Sequence, residues 1–373
     1  MGSSTSPREI EVLVVGAGPA GATVALNLAP LRQVALVDRR ARPGPRIGES
    51  LPPAARRLLT DMGLWESFTA QGHSPCYANR AAWGSAQPVE TDFLRDPDGH
   101  GWHIDRARFE VWLRAIAVDR GALLLAPARI QSMEWDGHRW RIRLATTAGS
   151  IELIARLVID AAGRAAPVAR LAGARRQRHD RLFCSWLYGE ANPCGHGAGL
   201  TYVEAEEYGW WYTAPVPGGR RVLAFHTDTD LPEARAFADP KLLPHRVAPD
   251  GELAAILTES RFTPAGPCGV TAAHSAVLHP FAGPAWLAVG DAALSCDPLS
   301  SQGLLNALYS GLAAAEAAER RLAGDADALP QYLDCLARVH TTYRAHLARS
   351  YRVETRWSNT PFWKRRHIAP DDA

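Results

Sequence analysis

Proton transfer near neutral pH calls for histidine, or for a carboxyl whose pKa burial has raised. In the segment from Leu182 to Val277 the candidates include His226, His274, and Glu206 or Glu207. Within the same segment runs Gly209-Trp210-Trp211-Tyr212, whose aromatic rings have the type to line a pocket for another flat ring. His226 and His274 are therefore the candidate catalytic groups, and Trp210, Trp211 and Tyr212 the candidate pocket walls. Each has a plainer reading beside it: a lone histidine is more often a hydrogen-bonded structural residue, and a buried tryptophan more often core.

A second set of residues has the spacing to hold a dinucleotide. Ile10–Val15 is an apolar, β-branched run that reads as a buried strand. It leads into Gly16-Ala-Gly18-Pro19-Ala20-Gly21, a helical pattern comes next, and a second apolar run, Val34–Val37, ends in Asp38. An acid about 20 residues beyond the first glycine completes the dinucleotide fingerprint. Gly16 permits the tight turn, Gly18 lets backbone approach a pyrophosphate, and Gly21 lets helix and strand pack closely. The helix N-terminus offers free N–H groups to the phosphates, and Asp38 can accept from a ribose hydroxyl. The pattern alone does not choose between NAD and FAD.

The segment after Asp38 makes that choice. Residues 39–53, RRARPGPRIGESLPP, form a long Pro/Gly-rich loop with several arginines, where an NAD unit would pass quickly into another helix. Here the sequence resembles the FAD-dependent monooxygenase and halogenase superfamily. The resemblance implies that Arg39, Arg46, Ile47 and Gly48 border FAD. It also assigns Arg106, in Gly101–Glu110, and Ile130 to the cofactor. Asp160-Ala-Ala-Gly163-Arg, with Arg170 downstream, is similar to the family's second motif but departs from the Asp-Gly pair of the phenol-hydroxylase type. The third motif, Gly290-Asp291, leads through Pro298, Gln302, Gly303 and Leu304. In the family this stretch sits at the isoalloxazine, where a helix N-terminus stabilises negative charge on the reduced ring.

Substitutions in that stretch bear on the reaction. Tryptophan halogenases carry a glutamate where Ser300 stands, and a lysine in the region matching residues 73–83, which here has none. Their Trp-x-Trp-x-Ile-Pro signature survives only as Trp210-Trp-Tyr212-Thr-Ala-Pro215. The Asp-Pro-Leu-Ser-Ser-Gln-Gly run instead resembles flavoprotein monooxygenases that mature quinone-cofactor amine oxidases and dehydrogenases. The resemblance implies hydroxylation of a tryptophan in a partner protein or peptide through a flavin C4a-hydroperoxide, with Ser300 at the substrate pocket. O2 would be the cosubstrate, and NAD(P)H or a partner flavin reductase the electron donor. Three rivals stay open: a halogenase with relocated groups, a reductase of isoprenoid double bonds, and a non-catalytic flavin-bearing chaperone or docking subunit.

The pattern also indicates the elements that must position these residues. The expected fold is α/β: a Rossmann-like FAD domain of the aromatic hydroxylase (glutathione-reductase-related) type, an inserted β-sheet substrate domain and C-terminal helices. The FAD domain takes 8–72, 101–181 and 278–330, the substrate domain 73–100 and 182–277, and the helical segment 331–373. The basic run Arg175–Arg181 reads as a solvated linker. A chain of 373 residues suits two joined domains. Its net charge of +2 gives no reason to expect a nucleic-acid or membrane-surface partner. Six scattered cysteines, including Cys194, without a CxxC pair argue against a disulfide framework or a metal site. The polar start, Met1–Arg8, shows no leader pattern, no apolar run is long enough to span a membrane, and a cytoplasmic location is expected.

Overall fold

The computed structural model describes residues 7–193, 195 and 197–367; Cys194, residues 1–6 of the N-terminal reading and 368–373 of the helical segment lie outside the described residues. Among the described residues an eight-stranded sheet forms the centre, with Ala282–Gly283, Trp286–Ala288, Gly149–Asp160, Arg8–Val15, Val34–Val37 and Leu123–Leu125 side by side. From Trp286–Ala288 onward these neighbours run parallel. From Val12 to Val15 and from Val34 to Val37 the strands are buried on both faces, as parallel strands covered by helices must be. Trp140–Thr146 and Ala128–Trp135 extend the sheet as an antiparallel excursion.

Register is what matters for function. Val15 pairs with both Val37 and Asp160, and Asp160 pairs with Ala288. Gly16, Asp38, Ala161 and, two residues past Ala288, Gly290 therefore emerge together at the carboxyl edge of the sheet. Open α/β sheets bind ligands at that edge.

A second, seven-stranded sheet runs in the order Thr263–Ala272, Leu182–Glu190, Arg220–Asp228, Gly209–Val216, Leu200–Glu206, Ala78–Ala82 and Val89–Asp92. Alternation along these strands sorts their side chains onto two faces. Cys184, Trp186, Tyr188, Trp210, Ala214 and Ala224 join the main core shared with the dinucleotide domain. Leu187, Trp211, Leu223 and Phe225 face the other way, into a smaller core closed by Leu243, Leu253 and Ile256.

Arg175–Arg178 is not a linker. It is a strand paired antiparallel with Ala276–His279, which in turn pairs with Leu294–Ser295. Arg175 and Arg178 are exposed, whereas Arg176 is partly buried and donates to the backbone carbonyls of Asp291 and Ala292, so charge alone misrepresents the segment. The helices Gly303–Leu322, Ala328–Arg352 and Pro361–His367 follow among the described residues. No helix among the described residues is long and apolar enough to cross a membrane.

Candidate active site

The glycine turn has the geometry of a phosphate cradle. Gly16 adopts φ +104°, and a Cβ there would lie 2.4 Å from the Ala161 carbonyl oxygen. A Cβ on Gly21 would fall 1.8 Å from the Gly16 carbonyl oxygen, so the helix Pro19–Leu28 can start here only without a side chain. At Gly18 a Cβ would meet nothing within 4 Å, leaving open space beside the helix N-terminus. Pro19 and Ala20 begin that helix, and the Ala20 and Gly21 N–H groups precede its first internal bond, from Ala22 N to the Gly18 carbonyl (2.9 Å), so they are of the kind that bind an anion.

Asp38 is held rather than free. Its Oδ2 accepts from Ala17 N (2.9 Å) and from Arg114 Nη2 (3.0 Å), and its Oδ1 accepts from Arg40 N (2.8 Å). Arg114, almost fully buried, also donates from Nε to the Ala17 carbonyl (2.7 Å). One guanidinium thus ties the glycine turn to Asp38. Sequence reasoning missed Arg114, although a signal was present: Arg106, Glu110 and Arg114 are spaced by four on one helix, and so share one face. Arg106 Nη1 donates to the Gly48 carbonyl (2.8 Å), and its Nη2 to Glu110 Oε1 (2.8 Å). Arg46 Nη1 lies 3.6 Å from the same oxygen. Arg106 Nε and Glu110 Oε2 are buried without a protein partner, polar capacity that a bound cofactor fits. Arg39 is exposed beside Asp38, and Ile130 comes two residues after Ala128, whose N–H donates to the Asp38 carbonyl (2.7 Å).

The second motif is spent on structure. Asp160 accepts from Ala162, Val168 and Ala169 N–H groups at 2.8–3.1 Å, which fixes the turn against Gly16; Arg170 is exposed. The third motif lies against the first helix: a Cβ on Gly290 would sit 2.8 Å from the Ala20 Cβ. The Asp291 carboxylate is 3.6 Å from Arg164 Nε and partly exposed. His274 stands beside this pair, its carbonyl accepting from Arg164, and burial together with Arg164, Arg178 and Arg176 pulls its pKa down to about 4. Pro298, Gln302 and Gly303 are exposed around the start of the 20-residue helix Gly303–Leu322, with Leu304 buried behind them. Ser300 Oγ donates to the Asp297 carbonyl (2.7 Å), which holds that turn.

The aromatic residues divide between the two faces. Trp211 was expected at the pocket, but the period of two turns it outward. It donates to Glu206 Oε1 (2.6 Å) and packs on Phe225 in the smaller core. Glu206, pushed up to about 7 by burial, is on that outer side with it, and Glu207 is exposed. Trp210 faces inward but is packed: His226 stacks on it at 3.6 Å and 7°, and its Nε1 donates to Tyr351 Oη (3.2 Å). Burial pulls His226 down to about 3, so its ring is neutral and enclosed. Tyr351 Oη donates to Asp297 Oδ2 (2.8 Å), joining the sheet, the flavin-motif turn and the C-terminal helix. Tyr212 faces the 39–53 loop, where its Oη is 3.1 Å from Ser50 Oγ. There it meets Glu49 and Tyr188, two residues that sequence reasoning did not single out.

Comparisons with known proteins agree with this geometry. Residues 9–222, more than half of the chain, match the model of a family described as FAD binding domain. The chain is 28% identical over 361 residues to LodB of Marinomonas mediterranea, named as an FAD-dependent oxidoreductase, covering 96% of both chains. It is 26% identical to the tryptophan 2-halogenase of Chondromyces crocatus, covering 98% of this chain and 72% of that one. Its fold matches the peptidyl tryptophan dihydroxylase QhpG with a TM-score of 0.77 at 25% identity, over 98% of this chain and 80% of that one. With a glycine turn, the clamped Asp38 and a helix start converging at one sheet edge, this chain is a flavin-dependent enzyme of the monooxygenase type and belongs to the FAD-binding-domain family.

Proposed function

We propose that the protein is an FAD-dependent monooxygenase that hydroxylates an aromatic ring, with a tryptophan side chain in a peptide or partner protein as substrate. Gly16–Ala20 would take the pyrophosphate, Asp38 with Arg114 the ribose, Arg106 the loop along the cofactor, and Asp291 with the Gly303 helix start the redox end. FAD, once bound and reduced, supplies oxygen activation; NAD(P)H or a partner reductase would supply electrons, and O2 the oxygen. The protein's own work is to hold the indole under the inner face of the second sheet, exclude water and hold protons there. Of the two histidines, His274, only partly buried and with its carbonyl accepting from Arg164, is the one left accessible for proton transfer, since His226 is enclosed.

One observation favours oxygenation over halogenation. Capturing hypohalous acid calls for a cation beside the substrate, and the chain's two lysines, Lys241 and Lys364, are both exposed, in the outer turn Pro240–Arg246 and in the C-terminal helix. The similarity to a tryptophan halogenase supports the second reading, with a different group in the lysine's place. Incubating the enzyme with a tryptophan-containing peptide, a flavin reductant, O2 and chloride or bromide, then measuring product mass, separates them. Added oxygen on indole is the expected result. Halide incorporation would install the halogenase reading, and an unmodified peptide across a panel, with FAD that no reductant reduces, would leave the docking subunit.

A further inference from the structure

Glu49 lies in the 39–53 loop with none of its surface exposed. Its carboxyl meets hydroxyl groups from two strands of the second sheet. Tyr188 Oη is within hydrogen-bonding distance of Oε1, and Tyr212 Oη is 3.4 Å from Oε2. Tyr188 Oη is also 3.2 Å from the Arg46 carbonyl oxygen, and Ser50 Oγ is 3.1 Å from Tyr212 Oη.

These four contacts need four hydrogens. The hydroxyls of Tyr188, Tyr212 and Ser50 bring three, and a carbonyl brings none. The fourth can come only from the carboxyl. With a proton on Oε1 every contact has a direction: Glu49 donates to Tyr188, Tyr188 to the Arg46 carbonyl, Ser50 to Tyr212, and Tyr212 to Oε2. An ionised carboxylate would leave Tyr188 with one hydrogen between two acceptors.

The surroundings favour the same state. Burial raises the Glu49 pKa against the opposing pull of the Tyr188 hydroxyl, the backbone amides of Glu49 and Gly48, and Arg106. Arg106 itself is engaged by the Gly48 carbonyl and Glu110, and the second sheet contributes the buried thiol of Cys184.

We propose that Glu49 is a positioning residue that works as a neutral acid, its proton latching the cofactor loop to the second sheet and so shaping the FAD site. The latch goes beyond the reaction proposed above and does not depend on which substrate is used.

Three variants and two measurements test it. Infrared spectra of FAD-free protein should show a protonated-carboxyl C=O band that disappears in Glu49→Gln and moves in Tyr188→Phe. FAD titration should give Glu49→Gln near-native affinity, because its amide can donate to Tyr188 and accept from Tyr212. Glu49→Ala should bind about tenfold or more weakly, as expected for buried hydroxyls left unpaired. If Glu49→Ala does not fold, Tyr188→Phe, which keeps the ring, carries the affinity comparison. A wild-type spectrum lacking that band, or a Glu49→Gln protein as weak as Glu49→Ala or Tyr188→Phe, would overturn the proposal.

Discussion

Arg114 shows how much one side chain can decide. Its guanidinium donates to Asp38, to the Ala17 carbonyl and, at 3.3 Å, to the Arg40 carbonyl, all within a nearly dry site. Removing one partner of a buried pair leaves the other charge uncompensated, at a cost of about 3–5 kcal/mol. Arg114→Met should therefore lower stability by about that amount in urea unfolding and abolish tight FAD binding in a fluorescence titration. Adding Asp38→Asn to Arg114→Met should restore part of the stability but not the FAD affinity. Full additivity of the two substitutions in a double-mutant cycle would show that the pair does not act as a unit.

At the scale of the element, the strand–turn–helix unit makes opposite demands on two neighbouring glycines. Gly21 has no room for a methyl group, whereas Gly18 faces open space. Gly21→Ala should unfold or severely destabilise the domain. Gly18→Ala should melt within about 1 kcal/mol of wild type yet lose FAD affinity at least tenfold, because the methyl occupies the pyrophosphate's approach. Thermal melts of FAD-free protein read the first effect and flavin titration the second. The same element shows what was legible in the sequence. Gly16, Gly18, Asp38 and Gly290 announce themselves by spacing, since a phosphate cradle is a local backbone geometry. Trp210 and Trp211 announce a strand but not which of them faces inward, because register with neighbouring strands fixes that. The basic run Arg175–Arg178 hid a strand whose partner lies about a hundred residues away. Arg114 left only the faint signal of its four-residue spacing from Arg106 and Glu110, and Glu49 left none: what each does exists only where distant segments bring hydroxyls, carbonyls or a carboxylate to a buried polar group.

Across the whole molecule, Asp297 connects the turn before the helix Gly303–Leu322 to the C-terminal helices. It is buried, its Oδ1 accepts from Leu299 N (2.9 Å), and its Oδ2 accepts from Tyr351, whose ring lies 5.0 Å from the Arg366 guanidinium. Arg366 in turn pairs with Asp228 on the second sheet (2.8 Å), so the last helix, the sheet and the flavin-motif turn form one joint. Burial, reinforced by Asp180 and opposed by Arg366, the Leu299 amide and the Tyr351 hydroxyl, pushes Asp297 up to about 7 from its ordinary 3.8. A folded pKa above the unfolded one means that the native state holds the proton more tightly. The associated stability is complete below about pH 3.8 and is lost as pH rises through about 7. Asp297→Asn keeps an acceptor for Leu299 and gives Tyr351 a neutral partner, while removing the cost of an ionised buried carboxylate. Relative to wild type, the variant should be near neutral at about pH 4 and more stable by about 2–4 kcal/mol at about pH 8. Denaturant unfolding of both proteins across that range checks it. A difference that stays constant with pH would mean that Asp297 is already ionised throughout, held by Arg366 across the joint rather than neutralised by burial.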